Sequence, residues 1–293
     1  MKKTIMLAGI LLLASLLSVS CEKANFGDDG NQEKEGEVKV MFNVDKFEQV
    51  PFNDGIYLSR SNVDVSNICT NINMAIFGGS EKVKSVNQKT GDSDFGKISV
   101  SLVKGTYKIV VIAHSCNGTA TISSPDKITF PDNKVSDTFY YCADIVVDDA
   151  KSYDLELKRA VAMFRLIAQD GKPENVKSMK FFYSGGSSTF NAVTGYGCVN
   201  SRQTEVRKME DSYNGKSTQI DVYTFPHDES GLLKITITAQ DVLGNSVCEK
   251  VFDDVPMQRN KITQYSGNFF ISSAGSSFSI KADNTWAQEN YQY

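Results

Sequence analysis

Apolar residues alternate with polar ones along most of the chain, as in β-strands that bury one face. Turn signals such as Gly78-Gly79 and Asn214-Gly215 separate the alternating segments. The predicted strands are residues 38–44, 72–76, 98–102, 107–113, 138–147, 153–157, 161–168, 176–183, 220–225, 232–239 and 247–252. No long stretch repeats with the 3.6-residue period of a helix. The pattern predicts an all-β chain built from β-sandwiches.

Two short segments recur at nearly the same spacing. Residues 105–113 align with 231–239 at an offset of 126, and residues 40–42 align with 162–164 at an offset of 122. Strands use few residue types, so coincidence is the alternative. Two near-equal offsets favour two sandwiches of similar topology, with the boundary near Lys158-Arg159. The predicted domains are residues 37–157 and 158–293.

The N-terminus has the features of an export signal. Lys2 and Lys3 precede an uncharged apolar stretch, residues 5–17, which is shorter than the roughly 20 residues of a membrane span. Residues 1–20 are therefore predicted to be a secretory signal peptide. A small residue, Ser20, stands directly before Cys21, and this arrangement resembles the bacterial lipoprotein box. Cys21 is predicted to be lipidated; the alternative is an ordinary signal peptide with an incidental cysteine.

Residues 21–36 are predicted to be an acidic, flexible tether. Six acidic residues lie between Glu22 and Glu37 against two lysines, and Phe26 is the one large apolar residue there. Such a segment buries too little surface to order itself. It resembles the surface-export signal of Bacteroidales lipoproteins, although a solvated periplasmic spacer would look similar.

Composition narrows the functional classes. The chain has 31 Lys and Arg against 35 Asp and Glu, and removal of Lys2 and Lys3 with the signal takes its net charge from −4 to −6. Nucleic-acid binding needs a basic surface, so it is not expected. Hydrophobic residues make up 41% of the chain, enough for a substantial core. The composition indicates a globular protein that is not an enzyme.

No familiar catalytic or metal-binding motif is present. The sequence lacks a Gly-x-Ser-x-Gly elbow, a phosphate loop, a Cys-x-x-Cys pair and a zinc-spaced His pair. Its two histidines, His114 and His227, are interpreted as a strand-end hydrogen-bonding residue and a surface residue. Residues 92–96 begin like a calcium loop but lack its later acidic ligand, so a turn is favoured. No catalytic residue, metal or cofactor is predicted.

The cysteines after Cys21 are odd in number, in a compartment that permits disulfides. They are Cys69, Cys116, Cys142, Cys198 and Cys248. Cys116 and Cys142 could pair, but buried free thiols are the favoured interpretation.

Several segments together resemble the fimbrillin superfamily of Bacteroidales, the FimA- and FimB-like subunits and anchors of type V pili. The segments that carry the resemblance are Cys21 with its lipoprotein box and residues 38–44, 105–111, 155–164, 255–263 and 266–270. The resemblance covers nearly all of the chain after the signal peptide. It implies two tandem transthyretin-like (Ig-like, Greek-key) β-sandwich domains on a lipid-tethered precursor.

The resemblance also implies a mechanism of assembly. In such a subunit a trypsin-like protease cuts after an arginine and removes the lipid with the first strand, and a strand from the next subunit fills the vacated groove. Arg60 is the candidate cleavage site here. The candidate exchanged strand contains Val38, Val40, Phe42 and Val44. Residues 278–282 are either a donated strand or the last strand of their own domain.

The implied partners are other fimbrial subunits, the outer-membrane lipid through acylated Cys21, and a host protein or glycan. If the lipid is retained, the chain is an anchor or accessory subunit. The expected location is the outer membrane, as a surface lipoprotein or within fimbriae. The competing class is a surface glycan-binding lipoprotein of a polysaccharide-utilisation system. The single tryptophan, Trp286, would be its candidate platform, whereas the aromatic residues at 140–141 and 181–183 are interpreted as core and rim.

Overall fold

The regular structure of the described residues consists of β-strands and three single 3-10 turns. The computed structural model describes residues 36–48, 64–271 and 279–283, and no α-helix occurs in these ranges. The strands are Glu37–Phe47 (β1), Asn71–Gly78 (β2), Glu81–Lys89 (β3), Lys97–Val103 (β4), Gly105–His114 (β5), Thr121–Ser124 (β6), Lys127–Thr129 (β7), Thr138–Val147 (β8), Lys151–Arg159 (β9), Ala162–Ala168 (β10), Ser178–Ser184 (β11), Thr189–Asn191 (β12), Tyr196–Gly197 (β13), Arg202–Lys208 (β14), Thr218–Thr224 (β15), Ser230–Gln240 (β16), Ser246–Gln258 (β17), Ile262–Gly267 (β18) and Ser279–Asp283 (β19). The 3-10 turns are Val65–Asn67, Pro131–Asn133 and Asp211–Tyr213.

The first half of the chain forms a sandwich from one long, folded sheet. Its strand order is β3-β2-β5-β8-β9-β1-β4. The pairing of β8 with β9 consists of Phe139 with Arg159 and Tyr140 with Lys158. Beyond these pairs the sheet divides into two layers, and their inward residues, such as Phe42 and Ile109, share one buried core.

The second half repeats this arrangement. Its two sheets have the orders β14-β11-β16-β17 and β15-β10-β18-β19, and they enclose a second core that includes Phe164 and Phe181. β1 lies between antiparallel β4 and parallel β9, and β10 lies between antiparallel β15 and parallel β18. The strands related by the 122- and 126-residue offsets, β1 with β10 and β5 with β16, therefore occupy equivalent places in their sheets.

A small sheet and a third core join the two halves. The sheet order is β13-β12-β7-β6, so β12 and β13 from the second half pair with strands of the first. The core beneath it combines Val110 and Ile112 with Phe190 and Phe225. Both faces of β2 and β5 are buried as a result, which explains their nearly continuous apolar runs. The division into two domains at residue 158 stays a prediction.

Within the described residues, no helix has the length and apolar character that crossing a membrane requires.

Candidate functional site

The candidate site is the first strand together with the groove that holds it. Val40, Phe42 and Val44 are fully buried and Val38 is partly buried, so the alternation seen in the sequence corresponds to one inward face. The ring of Phe42 stacks on Tyr153 of β9, with 5.5 Å between ring centroids. β1 is therefore an internal part of the first core.

β1 is paired along both edges. It runs antiparallel to β4, from Glu37 opposite Val103 to Asn43 opposite Lys97, and parallel to β9 from Val40 to Phe47. Loss of β1 would leave unpaired backbone groups on two strands and an open apolar floor between them. Such an edge is a ready template for another strand.

The residue after β1 links this strand to the second half of the chain. The N–H of Glu48 donates to the Leu157 carbonyl at 2.7 Å. Its carboxylate accepts from the Arg159 N–H at 3.2 Å and from the Arg259 guanidinium at 3.3 Å. Arg259 also donates to the Arg159 carbonyl at 2.8 Å. Glu48 therefore holds the end of β1 against both β9 and the loop after β17.

Arg159 is the most deeply buried charged residue at this junction. Its side chain is 0% exposed and donates two hydrogen bonds to Asp137, at 2.8 and 2.9 Å. It also donates to Asn260 from the second half at 3.3 Å and stands 4.5 Å above the ring of Phe139. These contacts neutralise the buried charge of Arg159 and hold the end of β9 against residues from both halves of the chain.

The sequence predicts a domain boundary near Lys158-Arg159, but the contacts of Arg159 were not predicted. One signal was available: Arg159 has the same strand parity as Leu155 and Leu157, which face inward. A charged residue at an inward position needs a buried partner. The partners, Asp137, Asn260 and Glu48, are far apart in sequence, and no local pattern identifies them.

Other predicted site residues lie outside the described residues. They are Cys21, Arg60 and Trp286, and their predicted roles stay predictions. Of residues 278–282, those from Ser279 onward belong to β19, which pairs antiparallel with β18 of the same chain.

Both histidines have local contacts. His114 is buried, its Nδ1 accepts the N–H of Cys116 at 3.1 Å, and its Nε2 lies 2.9 Å from Asn73 Oδ1. These contacts fix a neutral ring with its proton on Nε2. His227 is partly buried, with Nδ1 3.2 Å from the Gly197 carbonyl. The interpretation of His114 as a strand-end hydrogen-bonding residue is confirmed, whereas His227 is less exposed than predicted because β13 packs beside it.

The burial of His114 predicts a loss of stability in acid. Burial lowers the pKa of His114 from 6.5 to about 4. The unfolded chain therefore takes up this proton first, and stability falls as the pH drops from about 6.5 to about 4. The loss from this group at pH 4.5 is about 2–3 kcal/mol in the free energy of unfolding. Urea unfolding at pH 7 and 4.5 measures it.

The matched controls for this experiment are His114→Gln and His227→Gln. The first variant should lose this part of the pH dependence, and the second should keep it. An unchanged pH dependence in His114→Gln would show that other groups cause the acid sensitivity.

The five described cysteines, Cys69 to Cys248, are all free. Cys69 and Cys116 are buried, and burial raises the pKa of the Cys69 thiol to about 12, so this thiol stays protonated. Cys116 does not pair with Cys142, and its Sγ lies 3.2 Å from Ser136 Oγ. Among the described residues, no group of His, Cys, Asp and Glu is arranged to hold a metal ion.

Comparison with known proteins gives a family and a set of similar folds. The model of DUF6562, a family of unknown function, matches residues 31–293. No curated protein sequence matches the chain. A candidate adhesin from Bacteroides ovatus has a similar structure, with a TM-score of 0.50 and 10% identity over 84% of this chain and 92% of that one.

Two further solved structures have lower scores. A candidate polysaccharide-binding protein from Bacteroides thetaiotaomicron has a TM-score of 0.48 and 12% identity, over 88% of this chain and 99% of that one. The tip fimbrial protein Mfa3 from Porphyromonas gingivalis, truncated at its C-terminus, has a TM-score of 0.42 and 10% identity, over 83% and 99%. The likeness to the Bacteroides ovatus protein shows the fold. It confirms the predicted all-β class.

Proposed function

The chain belongs to DUF6562, a family of unknown function, and we propose that it is a structural or anchoring subunit of a type V-like fimbria. In this proposal it is exported, lipidated at Cys21 and displayed on the outer membrane, where it takes part in adhesion and performs no catalysis. Its partners are other fimbrial subunits, the same or related chains.

The observation that carries the proposal is the position of β1. The strand nearest the N-terminus contributes Phe42 to the centre of the first core, and its partners, β4 and β9, both come later in the chain. Cleavage between β1 and β2 would therefore remove one strand from an otherwise complete sandwich. The groove left behind has the backbone donors and acceptors, and the apolar floor, to receive a strand from another subunit.

Three further features support a surface role. The fold is similar to that of a candidate adhesin from Bacteroides ovatus. The sequence has a predicted signal peptide, residues 1–20, and a predicted acidic tether that starts at Cys21. This structural likeness, at 10% identity, supports the cell surface as the location.

Strand exchange would use two segments of the chain. Cleavage after Arg60 would release β1 together with the lipid at Cys21. β19 is the candidate donated strand, because among the described residues it lies at the edge of its sheet and pairs only with β18. If Arg60 is not cut, the lipid stays and the chain anchors a fibre to the outer membrane.

Replacing Arg60 with glutamine tests the processing step. A trypsin-like protease requires a basic side chain, so Arg60→Gln should abolish the form of the chain that begins at Ser61. The acylated form should accumulate in the envelope. Immunoblots of envelope and sheared surface material measure both forms.

The matched control is Arg202→Gln, at an exposed arginine of β14, which should leave processing unchanged. A form beginning at Ser61 that persists in Arg60→Gln would rule out cleavage by such a protease at this site.

A further inference from the structure

A polar cavity lies where the first half of the chain meets β14 and β15. Its volume is about 530 Å³, within the range of small-molecule sites. The wall from the first half comes from the end of the first 3-10 turn, the loop after β5 and the segment from Pro131 to Asp137. The wall from the second half consists of Glu205, Arg207 and Tyr223.

The rim of the cavity carries polar side chains that make no hydrogen bond within the described part of the chain. Asn67, Asn117 and Asp132 are exposed, and none of the described residues gives their side chains a hydrogen bond. The two amides can donate and accept, and the carboxylate can accept from two donors. This combination suits hydroxyl groups, each of which donates and accepts.

The floor of the cavity is fixed by buried charges that are already paired. Glu205 is 4% exposed, accepts from the Tyr183 hydroxyl at 2.8 Å and pairs with Arg207. Asp137 pairs with Arg159 behind the wall. Both carboxylates therefore have their counter-charges within the protein, and a ligand does not need to supply one.

The charges around the cavity balance. The lining residues Lys134 and Arg207, with Arg159 behind them, offset the carboxylates of Asp132, Asp137 and Glu205. An anionic ligand would meet three carboxylates, and a cationic ligand would meet two cations at the lining. Neither sign is favoured, so a neutral polar ligand fits best.

The turn that carries Asp132 is held in an uncommon conformation. Asp132 and Asn133 both have positive φ values, 55° and 54°, a left-handed conformation that Asp and Asn adopt more readily than other non-glycine residues. Of these two neighbours, Asp132 lines the cavity and Asn133 does not. The two residues therefore share a backbone conformation and differ in whether they line the cavity.

We propose that this cavity binds a neutral saccharide through hydrogen bonds to Asn67, Asn117 and Asp132. The site is separate from β1 and its groove, so binding does not depend on whether the chain is processed or polymerised. It would give the protein a glycan ligand in addition to a structural role.

An array of neutral, sulfated and sialylated glycans, probed with the full chain purified from cells, tests the proposal. A neutral glycan should bind, and saturation-transfer NMR with that glycan gives the affinity. Asp132→Asn should weaken binding about tenfold, because it removes one charge-assisted hydrogen bond. Asn133→Asp, the reverse exchange at the neighbouring position with the same backbone conformation, should leave the affinity unchanged.

Three results would overturn the inference. They are the absence of any neutral glycan ligand, a preference for acidic glycans, and an affinity that Asp132→Asn leaves intact. If Asp132→Asn does not fold, Asn117→Ala in a different loop gives the same test. None of these results affects the fimbrial proposal, which rests on the position of β1 and is tested separately by the N-terminus of the chain in surface fibres.

Discussion

Replacing Arg159 with alanine is expected to lower the free energy of unfolding by about 3–5 kcal/mol, because it leaves Asp137 buried without its counter-charge. The two guanidinium–carboxylate hydrogen bonds, at 2.8 and 2.9 Å, and the contact with Asn260 would all be lost. The change also removes the packing of the side chain against Phe139. Equilibrium unfolding in urea measures the effect.

Lys104→Ala is the matched control for a charge removed from an ion pair. Its partner Asp149 is 86% exposed, so the change should cost less than about 1 kcal/mol. The double variant Arg159→Met with Asp137→Leu should recover much of the stability, because it leaves no unpaired charge. If Arg159→Ala costs no more than Lys104→Ala, then Arg159 does not hold the junction between the halves.

Replacing Phe42 with alanine is expected to cost about 3–5 kcal/mol, the usual range for a fully buried phenylalanine. The native side chain is 0% exposed and stacks on Tyr153, and the substitution removes both the burial and the stacking. The adjacent residue Met41 points to the opposite face of β1 and is 39% exposed. Met41→Ala should therefore cost less than about 1 kcal/mol, as thermal or urea unfolding of both variants would show.

This pair of variants also bears on assembly. A large cost for Phe42→Ala means that the uncut chain depends on β1 for its stability. A chain that has lost β1 then needs another strand in the groove. Equal and small costs would mean that β1 is dispensable, and exchange would have no driving force at this site.

Strands with a clear inward face could be predicted from the sequence. The alternation of Val40, Phe42 and Val44 gave β1, and the prediction for residues 138–147 coincides with β8. The offsets of 122 and 126 residues identified strands that the structure places equivalently. The alternation lies within a single strand and the offsets recur along the chain, so both can be seen in the sequence. Both arise because each of these strands buries one face in a core.

Edge and connecting strands could not be predicted in this way. β3 and β14 lie at the edges of their sheets, and each buries few residues, so charged and polar side chains dominate them. β6, β7, β12 and β13 have two to four residues each. They form strands because they cover a core made by both halves, which no window of sequence contains.

Only part of the candidate site could be predicted from the sequence, because the rest of it also combines segments that are far apart along the chain. The inward residues of β1 follow from alternation, whereas Glu48, Arg159 and Arg259 meet only in the folded chain. The cavity beside Asp132 likewise combines loops from the first half with strands from the second.

In the proposed function, this chain is built into a fimbria or anchors one. Mass spectrometry of its N-terminus, in the cell envelope and in sheared surface fibres, distinguishes these roles from that of a separate surface lipoprotein. We expect a chain that begins at Ser61 in the fibres, with the precursor acylated at Cys21 in the envelope. An anchor would instead keep acylated Cys21 and copurify with fimbrial subunits. A chain that is found only in the envelope, acylated at Cys21 and free of fimbrial subunits, would rule out a role in fimbriae.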